Sequence, residues 1–173
     1  LVCGLVNGGE ADFLDLRQPD LPVHRIPALG MGVRPLDDLR AIVSLRREIR
    51  SFRPHIVHTH TAKAGVLGRL AAVTTGVPLR VHTYHGHLLT GYFAPVVVRI
   101  IRFVESFLAR RTSALVAVGA RVRDELLDAG IGRAEQYTVI PPGAELGPIP
   151  RVREARAVLG LTTIPESSYL SAG

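Results

Sequence analysis

Short apolar runs alternate along the chain with longer stretches in which apolar positions recur every three or four residues, and Gly or Pro stands at nearly every changeover. Residues 1–6 read as a buried strand ended by Asn7-Gly8-Gly9, and residues 22–26 as a second, closed by Pro27 and a Gly-rich loop through Gly32. Pro35 opens a helix, since it suits the first turn and the carboxylates of Asp37 and Asp38 favour the positive helix end. The apolar side expected for this helix is Leu36, Leu39, Ile42, Val43, Leu45, Ile49 and Phe52, with Arg40, Arg46, Arg47 and Arg50 opposite; Arg53-Pro54 stops it. Further strands are predicted at 55–59, 79–83, 114–118 and 137–140, with helices at 62–75, 94–111 and 119–129 between them.

This alternation predicts βαβ units, and so an α/β domain: Rossmann-like, with a mostly parallel sheet and helices on both faces. The domain is expected over residues 1–145. Residues 146–173, where the pattern weakens to a short Arg-rich helix at 151–159 and a polar tail, are expected to form an interdomain linker helix and tail. Open parallel sheets bind ligands beyond the carboxyl ends of their strands.

Charge sharpens that picture. No Asp or Glu occurs between Glu48 and Glu105, an interval that holds six arginines and Lys63, the chain's single lysine. Six of the seven histidines fall within residues 54–91, in two runs that each end in a polar, Gly-containing turn. A locally positive, hydrogen-bonding surface at strand ends suits an anionic or polyhydroxy ligand. The net charge of +6 and pI near 10.4 leave nucleic acid, anionic lipid and phosphorylated small molecules open. Aromatics at 5% with no basic run interleaved among them argue against a stacking single-strand binder, and no nucleic-acid partner is expected. Cys3 alone gives neither a disulfide framework nor a metal knuckle. Arg99 and Arg102 interrupt the longest apolar run, which excludes a membrane span there. The first residues carry no initiator Met and no signal-peptide pattern; they read as the middle of a strand, as in a fragment.

Candidate chemistry gathers at the two turns. His58 and His60 share a strand face, as do His85 and His87. They can serve as donors and acceptors for phosphate or sugar hydroxyls, or as zinc ligands; zinc would recruit carboxylates that this acid-free interval does not supply, and no metal is expected. For His55, His58 and His82 the plainer reading is that they satisfy buried backbone groups. His85, between Tyr84 and Gly86, reads instead as functional, because Gly lets backbone approach a ligand. Lys63, at a helix start after Thr59-His60-Thr61, either holds an anion with the free N–H groups there or is a solvated first-turn lysine. The helix at 94–111 either lies on an anionic membrane surface or, more plainly, is buried with its arginines snorkelling. GxGxxG, Walker A and GxSxG motifs are absent.

Four segments in order, RPHIVHTHTAKAGVLGRLAA, GVPLRVHTYHGHLLTGYF, ALVAVGARVRDELLDAGI and YTVIPPGAEL, resemble family 4 of the retaining glycosyltransferases over about residues 1–160. The resemblance implies one half of a GT-B fold, the N-terminal, acceptor-side domain, here lacking its first strand and the C-terminal domain that holds the nucleotide. It implies transfer of a hexosyl unit, with retention, from a nucleotide-sugar to a hydroxyl acceptor on a lipid-linked or phosphorylated glycan. His85 would be the catalytic-side contact to the donor sugar and diphosphate; Thr59, His60, Lys63 and Gly65 would line the acceptor side, and Gly86 and His87 the same wall. The nucleotide-sugar is a substrate, and no cofactor is implied. The expected setting is cell-envelope polysaccharide synthesis in the cytoplasm, at the inner membrane face with peripheral membrane contact. The fragment alone is expected to be inactive. The alternatives are a non-catalytic module that binds a glycan or phosphosugar and, third, a metal-dependent hydrolase.

Overall fold

The structure, a computed structural model, describes residues 1–6, 20–30, 32–86, 94–143 and 151–161. The chain divides into two compact units, Leu1–Pro141 and Pro142–Gly173. In the first, the elements run β1 (Val2–Cys3), β2 (His24–Arg25), α1 (Pro35–Phe52), β3 (Ile56–His60), α2 (Ala62–Thr74), β4 (Leu79–Tyr84), α3 (Pro95–Ala109), β5 (Ala114–Ala117), α4 (Ala120–Asp128), a 3₁₀ turn (Ala134–Gln136) and β6 (Tyr137–Val139). The second unit contributes α5 (Val152–Val158), whose first turn is capped by Glu154 Oε2 accepting from the Arg151 N–H at 3.1 Å.

Every described strand pairing is parallel, as the alternation of strand and helix requires. The strands divide into two sheets, β1-β2 and β3-β4-β5-β6, each flanked by helices. β1 and β2 are far shorter than their apolar runs. Around the two paired residues the His24 N–H donates to Leu1 O and the Ile26 N–H to Cys3 O, both at 2.8 Å, and the Leu1 nitrogen donates to Pro22 O at 2.9 Å.

One core cluster joins Ile26, Leu29, Ala41, Leu45, Leu67 and Ala71, and so seats α1 and α2 against the loop after β2. A second joins Tyr84, Ala109, Leu115, Leu126 and Ile131 between β4, β5, α3 and α4. The apolar side predicted for α1 needs correction. The buried row is Ala41 and Leu45 with Ile42 and Ile49 beside them, whereas Leu36, Leu39, Val43 and Phe52 are exposed. A helix that packs through a small residue such as Ala41 buries a narrow row, and apolar residues whose helical positions fall off that row stay outside it. α3 is corrected too: it buries Glu105, Leu108 and Ala109 but leaves Val96, Ile100 and Phe103 exposed. α2 is the reverse, with Gly65, Leu67, Gly68, Arg69, Ala71 and Ala72 buried, as its small residues predict.

Candidate functional site

Alternation along β3 and β4 sorts the histidine-rich residues onto two faces. Thr59, His82 and Tyr84 turn toward α2. His58, His60 and Thr83 turn to the other side, where His58 Nε2 meets Thr83 Oγ1 at 2.8 Å. The parallel register sets Thr59 beside His82 and His60 beside Thr83, so β3 and β4 end together.

At that shared end His60 Nδ1 lies 3.0 Å from Nε2 of His85, the first residue after β4. His58 stacks behind, its ring centre 4.3 Å from that of His60. Partial burial lowers the pKa of both His58 and His60; the neighbouring histidines lower it further, since each added imidazolium would repel the others. His58 and His60 therefore favour neutral rings that can both donate and accept. Among the described residues, no three His, Cys, Asp or Glu side chains are placed to hold a metal ion.

Two backbone features shape the turns. Gly86 has φ +149°, in the region that favours glycine, so the chain leaves His85 along a path open to few other residues. Thr61, between His60 and α2, has φ 62° and ψ 168°, a conformation nearly reserved for glycine and costing about 1–3 kcal/mol in a residue with a Cβ. Strain of that kind at the end of β3, beside the histidine pair, makes the turn a candidate for function.

Beneath the pair the packing is close. A Cβ on Gly65 would lie 2.4 Å from His82 Cε1, so only glycine lets that ring sit against α2. Thr59 Oγ1 donates to Val81 O (3.3 Å) and lies 2.8 Å from His82 Nδ1, from which it can accept. Burial, and then the Arg69 guanidinium, push the His82 pKa down to about 3. Arg69, 1% exposed, donates from Nε to Gly65 O (3.0 Å) and from Nη2 to Glu105 Oε2 (2.7 Å). The Tyr84 hydroxyl donates to the same carboxylate oxygen at 2.7 Å. Burial and the Glu105 carboxylate raise the Tyr84 pKa, so the hydroxyl keeps its proton. This buried triad ties α2, α3 and the residue just before His85 together.

Of the residues singled out from sequence, His60, His85 and Gly86 are brought together at the strand ends. Thr59 and Gly65 lie directly below, turned inward as supports. Lys63 sits apart: its Nζ is 2.6 Å from Asp38 Oδ1 and donates to Gly32 O at 2.5 Å, so an anion there must displace Asp38. Arg34, Asp37 and Lys63, with Pro27, Ala28, Gly30 and Gly32, line a cavity of about 150 Å³ beside this ion pair. His87 lies outside the described residues. Of the three histidines read as satisfying buried backbone groups, only His82 is buried, and its partner is a side chain; His55 and His58 are exposed. Sequence reasoning missed Arg69 and Glu105. The signal was a lone Arg in an otherwise small and apolar helix, and the acid that ends the long acid-free interval.

Residues 2–143 match the family model described as "Glycosyl transferase 4-like domain". The chain is 29% identical over 140 residues (81% of this chain, 35% of the relative) to an Escherichia coli UDP-Gal:alpha-D-GlcNAc-diphosphoundecaprenol alpha-1,3-galactosyltransferase. It is 22% identical over 139 residues (79% and 36%) to the Staphylococcus aureus capsular polysaccharide biosynthesis glycosyltransferase CapM. It thus spans about a third of the length of these curated relatives. A solved glycosyltransferase structure from Rickettsia africae superposes with TM-score 0.61 at 19% identity, covering 92% of this chain and 41% of that one.

Proposed function

We propose that this chain, which belongs to the glycosyl transferase 4-like domain family, is the acceptor-side half of a transferase that moves a hexosyl unit, with retention, from a nucleotide-sugar to a hydroxyl of a lipid-linked or phosphorylated glycan. The observation that carries this reading is the His60–His85 pair at the carboxyl ends of two adjacent parallel strands, where such sheets take their ligands. His85 is the residue we assign to the donor sugar and its diphosphate. Imidazole N–H groups at that place can donate hydrogen bonds to the departing diphosphate oxygens, and the work of such a site is positioning and charge stabilisation. Glycine at position 86 leaves the backbone free to approach the same group. His60 completes the wall; Thr59 and Gly65 support it, and Lys63 borders the acceptor side.

The setting that fits this chemistry is cell-envelope polysaccharide synthesis at the inner face of the membrane. In our reading the nucleotide is held by a second domain, so residues 1–173 alone turn over no donor. The test is transfer of a radiolabelled sugar by the full natural chain, by its His85→Ala variant and by residues 1–173. We expect robust transfer from the first and a loss of about 10²–10³-fold in the second, the range for removing one transition-state donor. From the third we expect none. Full activity in His85→Ala would refute the assignment. Acceptor binding that persists without donor dependence in every form would favour a non-catalytic glycan-binding module.

A further inference from the structure

We propose that Arg69 and Glu105 are positioning residues for the histidine pair: their buried ion pair holds the two turns that carry His60 and His85 at a fixed spacing. This rests on the reading of His85 as the donor contact, and names what aims it. The observation is where the arms of one guanidinium go. Arg69 Nε donates to Gly65 O at 3.0 Å, and the Gly65 N–H donates at 3.1 Å to the carbonyl of Thr61, the residue after His60. Arg69 Nη1 donates to the Tyr84 hydroxyl at 3.3 Å, and Tyr84 immediately precedes His85. Arg69 Nη2 donates to Glu105 Oε2 at 2.7 Å, the oxygen that also accepts from the Tyr84 hydroxyl. One buried side chain thus reaches both sides of the pair from behind, and α3 supplies the carboxylate that fixes it.

Stability alone does not call for this arrangement. Taking an Arg and a Glu out of water costs about as much as their attraction returns, and apolar side chains of similar volume often hold such a place as well or better. What the ion pair adds is direction. A planar guanidinium presents its N–H donors in a rigid fork, so the groups bonded to it are held at set angles to one another. A Met in that place would pack without fixing those angles, because its thioether chain adapts to its surroundings. In front of the fork, His60 and His85 are exposed and meet through a bond of 3.0 Å. Hydrogen bonds weaken steeply as distance and angle drift, so a small displacement of either turn breaks it. The exposed pair therefore takes its spacing from the buried network behind it.

The test compares the parent with two variants. A triple variant, Arg69→Met with Tyr84→Phe and Glu105→Leu, removes the polar side-chain groups of the network together; Arg69→Lys keeps the charge and loses the fork. We expect the triple variant to melt at or above the temperature of the parent, yet to lose the His60–His85 bond. In long-range ¹H–¹⁵N spectra of the 173-residue chain, its His85 nitrogen shifts should move as far as they do in His60→Ala. In the full natural chain, kcat for sugar transfer should fall ~10–100-fold in both variants at unchanged donor KM, the mark of a misplaced group that acts in the transition state. Unmoved His85 shifts in a folded triple variant would overturn the proposal, as would full kcat in either variant. If the triple variant does not fold, Arg69→Lys decides by the same two readouts. A parent chain that transfers no sugar would count against the transferase reading alone, and the spectra of residues 1–173 would still decide whether Arg69 and Glu105 set the pair.

Discussion

His60 Nδ1 and His85 Nε2 lie 3.0 Å apart although 25 positions separate them in the chain. One nitrogen must carry the proton and the other the lone pair, so the bond fixes the tautomer of both rings together. Long-range ¹H–¹⁵N correlation spectra at neutral pH should therefore show one of these two nitrogens protonated and the other bare. His60→Ala should move the His85 nitrogen shifts; unmoved shifts would mean that the pair does not form.

Gly65 is defined by what stands opposite it. Gly65→Ala would press a methyl group into the His82 ring, with a predicted cost of about 1–3 kcal/mol, typical of overpacking in a tight core. Urea denaturation at neutral pH measures it, and an unchanged midpoint would contradict the close approach.

His82 makes stability pH-dependent, with a sign that follows from its environment. Its folded pKa of about 3 lies below the ordinary 6.5, so between these values the unfolded chain binds a proton that the folded chain refuses. The contribution is complete above pH 6.5 and is lost as pH falls toward 3, by about 1.4 kcal/mol per pH unit inside the window. Denaturation at a series of pH values should show His82→Asn losing less stability on acidification than the parent chain. Parallel curves would remove His82 as the cause.

The Arg69–Glu105–Tyr84 triad should respond unequally to its deletions. Glu105→Ala leaves a buried guanidinium without its carboxylate and should cost about 3–5 kcal/mol. Tyr84→Phe removes one hydrogen bond and should cost about 1–2 kcal/mol. A double variant whose loss equals the sum of the two would show that the groups are not coupled.

Thr61 invites the opposite experiment. Thr61→Gly relieves a strained φ and should raise stability by about 1 kcal/mol, after glycine's larger entropy loss is subtracted. Transfer activity of the full natural chain should fall in the same variant if the strain serves to aim His60. A stabilised variant with unaltered activity would make the strain incidental.

The sequence by itself determined the α/β class, the parallel order and the bounds of most helices. These follow from local period and from Gly and Pro punctuation, which act over a few residues: Pro35 and Arg53-Pro54 bracket α1, and Gly76-Val77-Pro78 separates α2 from β4. It also marked the His60 and His85 turns, because polar residues after apolar runs are local features. Only the tertiary structure decided which faces are buried and which charges are spent. The exposed row of α1 and the outward face of α3 depend on what packs against each helix, and periodicity gives a side without naming its neighbour. Lys63 meets Asp38 and Arg69 meets Glu105 across 25 and 36 positions, distances over which no local pattern carries information. The inward turn of Thr59 under His82 is likewise set by strand register, which pairing across the sheet alone fixes.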